Sequence, residues 1–227
     1  MNNQPSLSYE PKSDFIEPYA VQLAPGSALA KFILKLLGWS VDFYGLPTRQ
    51  GVIAVYPHTS NWDFVVGILA KWSLGLQVKF WAKDSLFSVP VLGPWMRWLG
   101  GVPVNRKAPQ GLVGQAVESL HAGQVNNDFY WLVVAPEGTR KRTEGWRSGF
   151  YSAAHQAGVP LAIARLDFGR KKITLHDFFQ LTGNSSHDMQ RVADLLEGTQ
   201  GAIHSNASPI CIASRRNTQE PSSNLSS

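Results

Sequence analysis

A histidine and an aspartate five positions apart, His58 and Asp63, are the first residues of this 227-residue chain whose types and spacing suit catalysis. They follow the apolar run Val52–Tyr56 (VIAVY) in the segment Pro57-His58-Thr59-Ser60-Asn61-Trp62-Asp63. The run reads as a strand, and in open α/β sheets reactive groups gather at the carboxyl ends of strands. Ser60 or Asn61 can cap the helix expected next, and a carboxylate in its first turn is favoured by the helix dipole. From there Asp63 can fold back to accept a hydrogen bond from one ring nitrogen of His58. The other nitrogen is then left to take a proton, the division of labour of a His–Asp general base. With six His and nine Asp in the chain, one His-x4-Asp spacing arises by chance about one time in four, so the pair gains weight only in company.

Company comes from three further blocks. Ala135-Pro136-Glu137-Gly138-Thr139-Arg140 follows another strand-like run, YWLVVA (130–135). Glycine in such a turn lets backbone approach a ligand, and arginine offers a two-pronged fork for phosphate. Alone, the block reads as well as a surface turn with a solvated Arg140. Gly100 to Arg106 (GGVPVNR) places a second arginine after a strand, and Val159-Pro160-Leu161 says little by itself. His121, His155 and His176 read as packed or exposed structural residues. Cys211 stands in the expected tail, a poor place for a nucleophile.

Between the ends, apolar runs alternate with helix-length segments. Strands are expected at 52–56, 78–82, 100–104, 130–135 and 160–166, and helices near 62–76, 109–122, 148–157 and 187–198. Continuous apolar strands separated by helices predict an α/β fold, a central mostly parallel sheet flanked by helices on both faces. Ala28 to Ser40 (ALAKFILKLLGWS) adds a short amphipathic helix with Lys31 and Lys35 on one face, read as membrane-associating because Trp72, Trp81, Trp95 and Trp98 add interfacial aromatics, with packing on the core as the alternative. Three regions are expected: a flexible arm over 1–25, a single domain over 26–204 and a disordered Ser/Asn-rich tail over 205–227.

Composition narrows the class. Hydrophobic residues make up 44% and charged ones only 16%, which excludes a disordered, solvated chain. Eight tryptophans and the low charge point to an apolar surface of the kind that meets lipid. A lone cysteine excludes an internal disulfide framework and a multi-cysteine zinc site. The start lacks the layout of a signal peptide and no apolar stretch reaches membrane-spanning length, so a soluble or peripheral protein is expected. From Pro136 to Lys172, eight Lys/Arg face three acidic residues, an excess equal to the net charge of +5. That local excess suggests an anionic partner.

Taken together and in order, the four blocks resemble the glycerolipid acyltransferase family, whose best-known members acylate lysophosphatidic acid. His58 and Asp63 match its His-x4-Asp block, Gly100 to Arg106 its Gly-containing block ending in Arg, Pro136 to Arg140 its Pro-Glu-Gly-Thr-Arg block and Val159 to Leu161 its Val-Pro-hydrophobic block. The likeness covers about residues 50 to 165. It departs at Asn105, where many members carry an acidic residue, and at Lys141, where serine is common. Both changes bear on the acceptor rather than on the catalytic pair.

The resemblance implies an enzyme, an acyltransferase of the 1-acylglycerol-3-phosphate type. His58 would deprotonate a glycerol-type hydroxyl as it attacks an acyl thioester, with Asp63 supporting the imidazolium. Glu137, Gly138, Thr139 and Arg140 would shape the acceptor site, Arg140 and Arg106 holding a phosphate. The expected co-substrate is acyl-CoA or acyl carrier protein, with no metal or cofactor and no acyl-enzyme. Expected partners are membrane lipids and a lysophospholipid, not nucleic acid, at the cytoplasmic face of an inner membrane. Two alternatives stand beside this: another lyso-lipid acceptor such as a lyso-aminolipid, or a basic membrane- or nucleic-acid-binding module without catalysis.

Overall fold

The computed structural model describes residues 15–17, 21, 23–104 and 111–213. Seven strands form one sheet: β1 (Ser40–Phe43), β2 (Gln50–Tyr56), β3 (Lys79–Lys83), β4 (Gly101–Val104), β5 (Tyr130–Val134), β6 (Leu161–Asp167) and β7 (Lys172–Phe179). Their order is β1-β7-β6-β2-β5-β3-β4, and every neighbouring pair is parallel except β6 with β7. Six helices cover the sheet: α1 (Ala28–Leu36), α2 (Trp62–Leu74), α3 (Leu92–Trp98), α4 (Gly111–Val125), α5 (Gly149–Ala157) and α6 (Ser185–Leu196). The expected α/β architecture is the one observed.

Strand alternation sorts the core into two layers. On one face Val52, Ala54 and Tyr56 of β2 pack with Leu120 of α4, Phe150 and Ala154 of α5, and Val192 of α6. Ile53 points to the other face, among Trp131, Ala162 and Phe178. Further along that face Ala30 and Leu34 of α1 meet Val66, Leu69 and Ala70 of α2. Burial on both faces is why β2 and β6 read as near-continuous apolar runs. It also puts β2 at the centre of the sheet, between β5 and β6.

The elements missed by periodicity have local reasons. β1 has only four residues, and β7 (KITLHDFF) mixes polar and apolar positions. α3 (LGPWMRW) holds Pro94 in its first turn, a place where the missing N–H costs no helical bond. The first helix ends at Leu36 rather than at residue 40, because Gly38 takes φ +79° and turns the chain into β1. The expected tail boundary at 205 also moves. Ala207, Ile210 and Ile212 pack against the core, and Cys211 O accepts the Trp146 N–H at 2.7 Å while the Ala213 N–H reaches Trp146 O at 2.8 Å.

Candidate active site

Tyr56 ends the central strand with its ring in the core against Trp146, at 5.3 Å between centroids. The next residues turn across the top of the sheet into α2. His58 emerges there with its side chain 21% exposed, and Asp63 sits in the first turn of the helix with its carboxylate 2% exposed. The Asp63 Oδ2 accepts the N–H groups of Thr59 at 2.5 Å and Ser60 at 2.7 Å. Of the two expected caps, Ser60 makes a bond at the helix start, its Oγ accepting the Trp62 N–H at 2.9 Å, while the Asn61 side chain makes no cap bond.

The same Oδ2 lies 3.4 Å from His58 Nδ1. That is longer than a tight hydrogen bond, a common condition of catalytic pairs before substrate arrives. The other Asp63 oxygen, Oδ1, is buried and unpartnered among the described residues. The geometry therefore places one anionic oxygen beside one imidazole nitrogen and leaves the exposed side of the ring for another molecule. The structure thus brings the two side chains together at 3.4 Å, longer than the hydrogen bond expected between them from the sequence.

The Pro136–Arg140 block leaves β5, the strand paired with β2, so it arrives beside the histidine. Glu137 is only 1% exposed. Its Oε2 accepts the backbone N–H of His58 at 2.5 Å and its Oε1 accepts that of Ser208 at 2.8 Å. The resemblance implies that Glu137 shapes the acceptor site; in the structure each of its oxygens accepts a backbone N–H. Gly138 has φ +67°, and a Cβ there would overlap the Arg147 side chain. Thr139 Oγ1 accepts the Lys141 N–H at 3.3 Å, and Arg140 is exposed, without a hydrogen bond or ion pair among the described residues. Arg106 lies outside the described residues.

Sequence reasoning missed the segment from Ile203 to Ala213, which crosses the site. Tyr56 Oη donates to Ser208 O at 3.1 Å, the Ile203 N–H donates to Thr59 Oγ1 at 3.2 Å and Asn206 Nδ2 to Thr59 O at 3.4 Å. Burial raises the Tyr56 phenol above its ordinary pKa, helped by the nearby Glu137 charge, which keeps the hydroxyl a donor. The only hint in the sequence is the apolar pair Ile210 and Ile212 inside an otherwise polar stretch. Among the described residues no cluster of His, Cys, Asp or Glu is arranged to hold a metal ion.

The His58–Asp63 pair after a central parallel strand, with a buried glutamate from the loop after the neighbouring strand, sits within residues 40–163, the stretch that matches the acyltransferase family. That is more than half of the chain, and the chain belongs to this family. Among curated proteins it is similar to the chloroplastic 1-acyl-sn-glycerol-3-phosphate acyltransferase BAT2 of Brassica napus, at 27% identity over 126 residues, covering 54% of this chain and 36% of that protein. It is also similar to the chloroplastic 1-acyl-sn-glycerol-3-phosphate acyltransferase LPAT1 of Arabidopsis thaliana, at 28% identity over 127 residues, covering 53% of this chain and 34% of that protein. The match spans about a third of the length of these relatives. Among solved structures, the 1-acyl-sn-glycerophosphate (LPA) acyltransferase PlsC of Thermotoga maritima aligns with TM-score 0.47 and 21% identity, over 74% of this chain and 73% of that one.

Proposed function

We propose that this chain transfers a fatty acyl group from a thioester, carried by coenzyme A or acyl carrier protein, to the hydroxyl of a lysophospholipid, 1-acylglycerol-3-phosphate foremost. The observation that carries the reading is the partly exposed His58 imidazole set 3.4 Å from a buried Asp63 carboxylate. The free ring nitrogen takes the hydroxyl proton as the oxygen attacks the thioester carbonyl. Asp63 supports the imidazolium so formed. Collapse of the tetrahedral intermediate expels the thiolate, which takes the proton back from the ring, leaving an ester and a free thiol. The balance closes without a metal, a cofactor or an acyl-enzyme. The exposed Arg140 supplies the positive charge for the acceptor phosphate, with Arg106 as its expected companion.

The same reading brings the protein to a membrane surface. No helix among the described residues is long and apolar enough to cross a membrane. However, Leu29, Phe32 and Leu36 of α1, Trp62 and Val65 of α2, and Trp95 and Trp98 of α3 are exposed. α3 leans on α2 through Trp98 and Trp72, whose rings are 5.4 Å apart. Exposed tryptophans beside Lys31 and Lys35 suit the interface of an anionic bilayer.

The test is release of free thiol from acyl-CoA by the purified protein, with and without lysophosphatidic acid. The expected result is acceptor-dependent release that falls by ~10²–10⁴ in His58→Ala, the usual loss on removing a positioned base. Normal turnover by that variant would sink the mechanism, and release with another lyso-lipid alone would reassign the acceptor.

A further inference from the structure

Three consecutive backbone N–H groups at the turn after β2 all point at carboxylates. Those of Thr59 and Ser60 end on Asp63, and that of His58 ends on Glu137. The turn carrying the imidazole is therefore held between two buried anions from different elements. Bonds of this kind, with a charged acceptor, are short and strong, and they fix the backbone at the donor. Asp63 acts within its own helix start, whereas Glu137 reaches across from the neighbouring strand.

The second oxygen of Glu137 takes the Ser208 N–H, and this links the histidine turn to the segment Ile203–Ala213. That segment is tied down at several further points. Its Ser208 carbonyl accepts from Tyr56, and Ser208 Oγ accepts the Thr143 N–H at 3.1 Å. Arg142 donates to Ala207 O at 2.7 Å, and Ile203 and Asn206 hold Thr59, as described above. The segment thus bridges the His58 turn and the loop after β5. A carboxylate at 1% exposure, accepting a backbone N–H on each oxygen, faces protein rather than solvent.

We propose that Glu137 is a positioning residue: it and the Ile203–Ala213 segment lock the His58 backbone, and through it the aim of the imidazole, and Glu137 makes no contact with the acceptor. This rests on the acyl-transfer reading for its rate effects, but the geometric statement stands apart from it. A ligand of the acceptor and a lock on the base predict different kinetics. Loss of a ligand raises KM for the acceptor, while loss of the lock lowers kcat, since small misplacements of a catalytic group are costly.

The experiment is Glu137→Gln, whose single carbonyl oxygen can keep only one of the two backbone donors and turns an amide toward the other. The expected result is a folded protein with kcat down roughly 10- to 100-fold and KM for lysophosphatidic acid within about 3-fold of the parent. A second variant, Tyr56→Phe, removes the tie on Ser208 O and leaves the Glu137 carboxylate in place. It should lower kcat a few-fold, again without moving KM. A readout independent of turnover is the ¹⁵N signals of the His58 ring, which report its tautomer. The parent should show one dominant tautomer, and Glu137→Gln a mixture.

A large KM increase with kcat preserved in Glu137→Gln would overturn the proposal in favour of a ligand role. So would unchanged His58 ring signals in both variants. If the parent proves inactive on every acceptor tried while the ring signals still change in Glu137→Gln, the acyl-transfer reading fails and the lock stands.

Discussion

Replacing Asp63 in two ways separates its two jobs. In the structure one oxygen accepts the Thr59 and Ser60 N–H groups and faces His58 Nδ1, while the other has no partner among the described residues. Asp63→Asn can keep a carbonyl oxygen at the working position, so both backbone bonds survive without charge assistance, at a cost of about 1–2 kcal/mol. Asp63→Ala strands both donors. Thr59 is 1% exposed, so its N–H pays the full desolvation penalty, while Ser60 is partly relieved by solvent; together they cost about 2–4 kcal/mol. The rate should behave differently. Both variants lose the negative charge beside the imidazolium, and each should lose ~10²–10⁴ in kcat. Urea denaturation gives the stability, and thioester cleavage with saturating acceptor gives kcat. The expected pattern is two similar losses of rate beside clearly unequal losses of stability. Turnover by Asp63→Asn within about 3-fold of the parent would refute charge support of His58. Parent-like stability of Asp63→Ala would refute the account of the turn.

Three further outcomes follow from other parts of the molecule. Gly51 lies opposite Trp131 in the β2–β5 pair, and a Cβ there would come 2.4 Å from the indole ring. Gly51→Ala should therefore cost about 1–3 kcal/mol by overpacking, read from the urea midpoint, and an unchanged midpoint would refute the contact. Burial, together with its hydrogen bond to Asp188, pushes the Tyr151 phenol from 10.0 up to about 12. The unfolded chain releases this proton near pH 10 and the folded one holds it to about pH 12, so stability falls as pH rises through that window. Tyr151→Phe should flatten that fall, and an identical slope from pH 9 to 12 would exclude the group. Replacing exposed Leu29, Phe32 and Leu36 together by Ser should leave the fold intact and weaken binding to phosphatidylglycerol vesicles by about 30- to 1,000-fold, on roughly 2–4 kcal/mol of lost apolar transfer. Equal sedimentation with vesicles would remove α1 from the membrane surface.

The parts of this protein legible in its residues are those where one local pattern serves one purpose. β2 and β6 are buried on both faces, so each reads as a near-continuous apolar run. His58 and Asp63 lie within six residues, so the pair is visible in one short segment, and the companion blocks give that spacing its weight. β7 and the 205–213 segment are different. β7 lies between β1 and β6, and its polar residues, among them Thr174 and His176, line a pocket, which breaks the apolar pattern. The polar residues from Ser205 to Ser208 look solvated in sequence, yet their backbone groups are consumed by Tyr56, Glu137 and Arg142. Glu137 was legible as a member of the site, but its role was not, because burial and the direction of a carboxylate depend on strands far apart in the chain.

That distance has a consequence for when the site exists. The groups that would do the chemistry sit within one hexapeptide, and a short fragment could bring them near each other. The groups that hold them do not: Glu137 is 79 positions from His58, and Ile203 is 144 from Thr59. Closing loops of that length is paid for in chain entropy before any bond is gained, so these ties form only as the sheet and the 203–213 segment complete. A partly folded chain would carry the imidazole without its aim. Of the short bonds around this turn, those to Asp63 are local, whereas the one from His58 to Glu137 needs the assembled sheet and ends on a buried carboxylate. An imidazole held this way is ready only in the finished molecule, at the one end of the sheet where β2 and β5 deliver both carboxylates together.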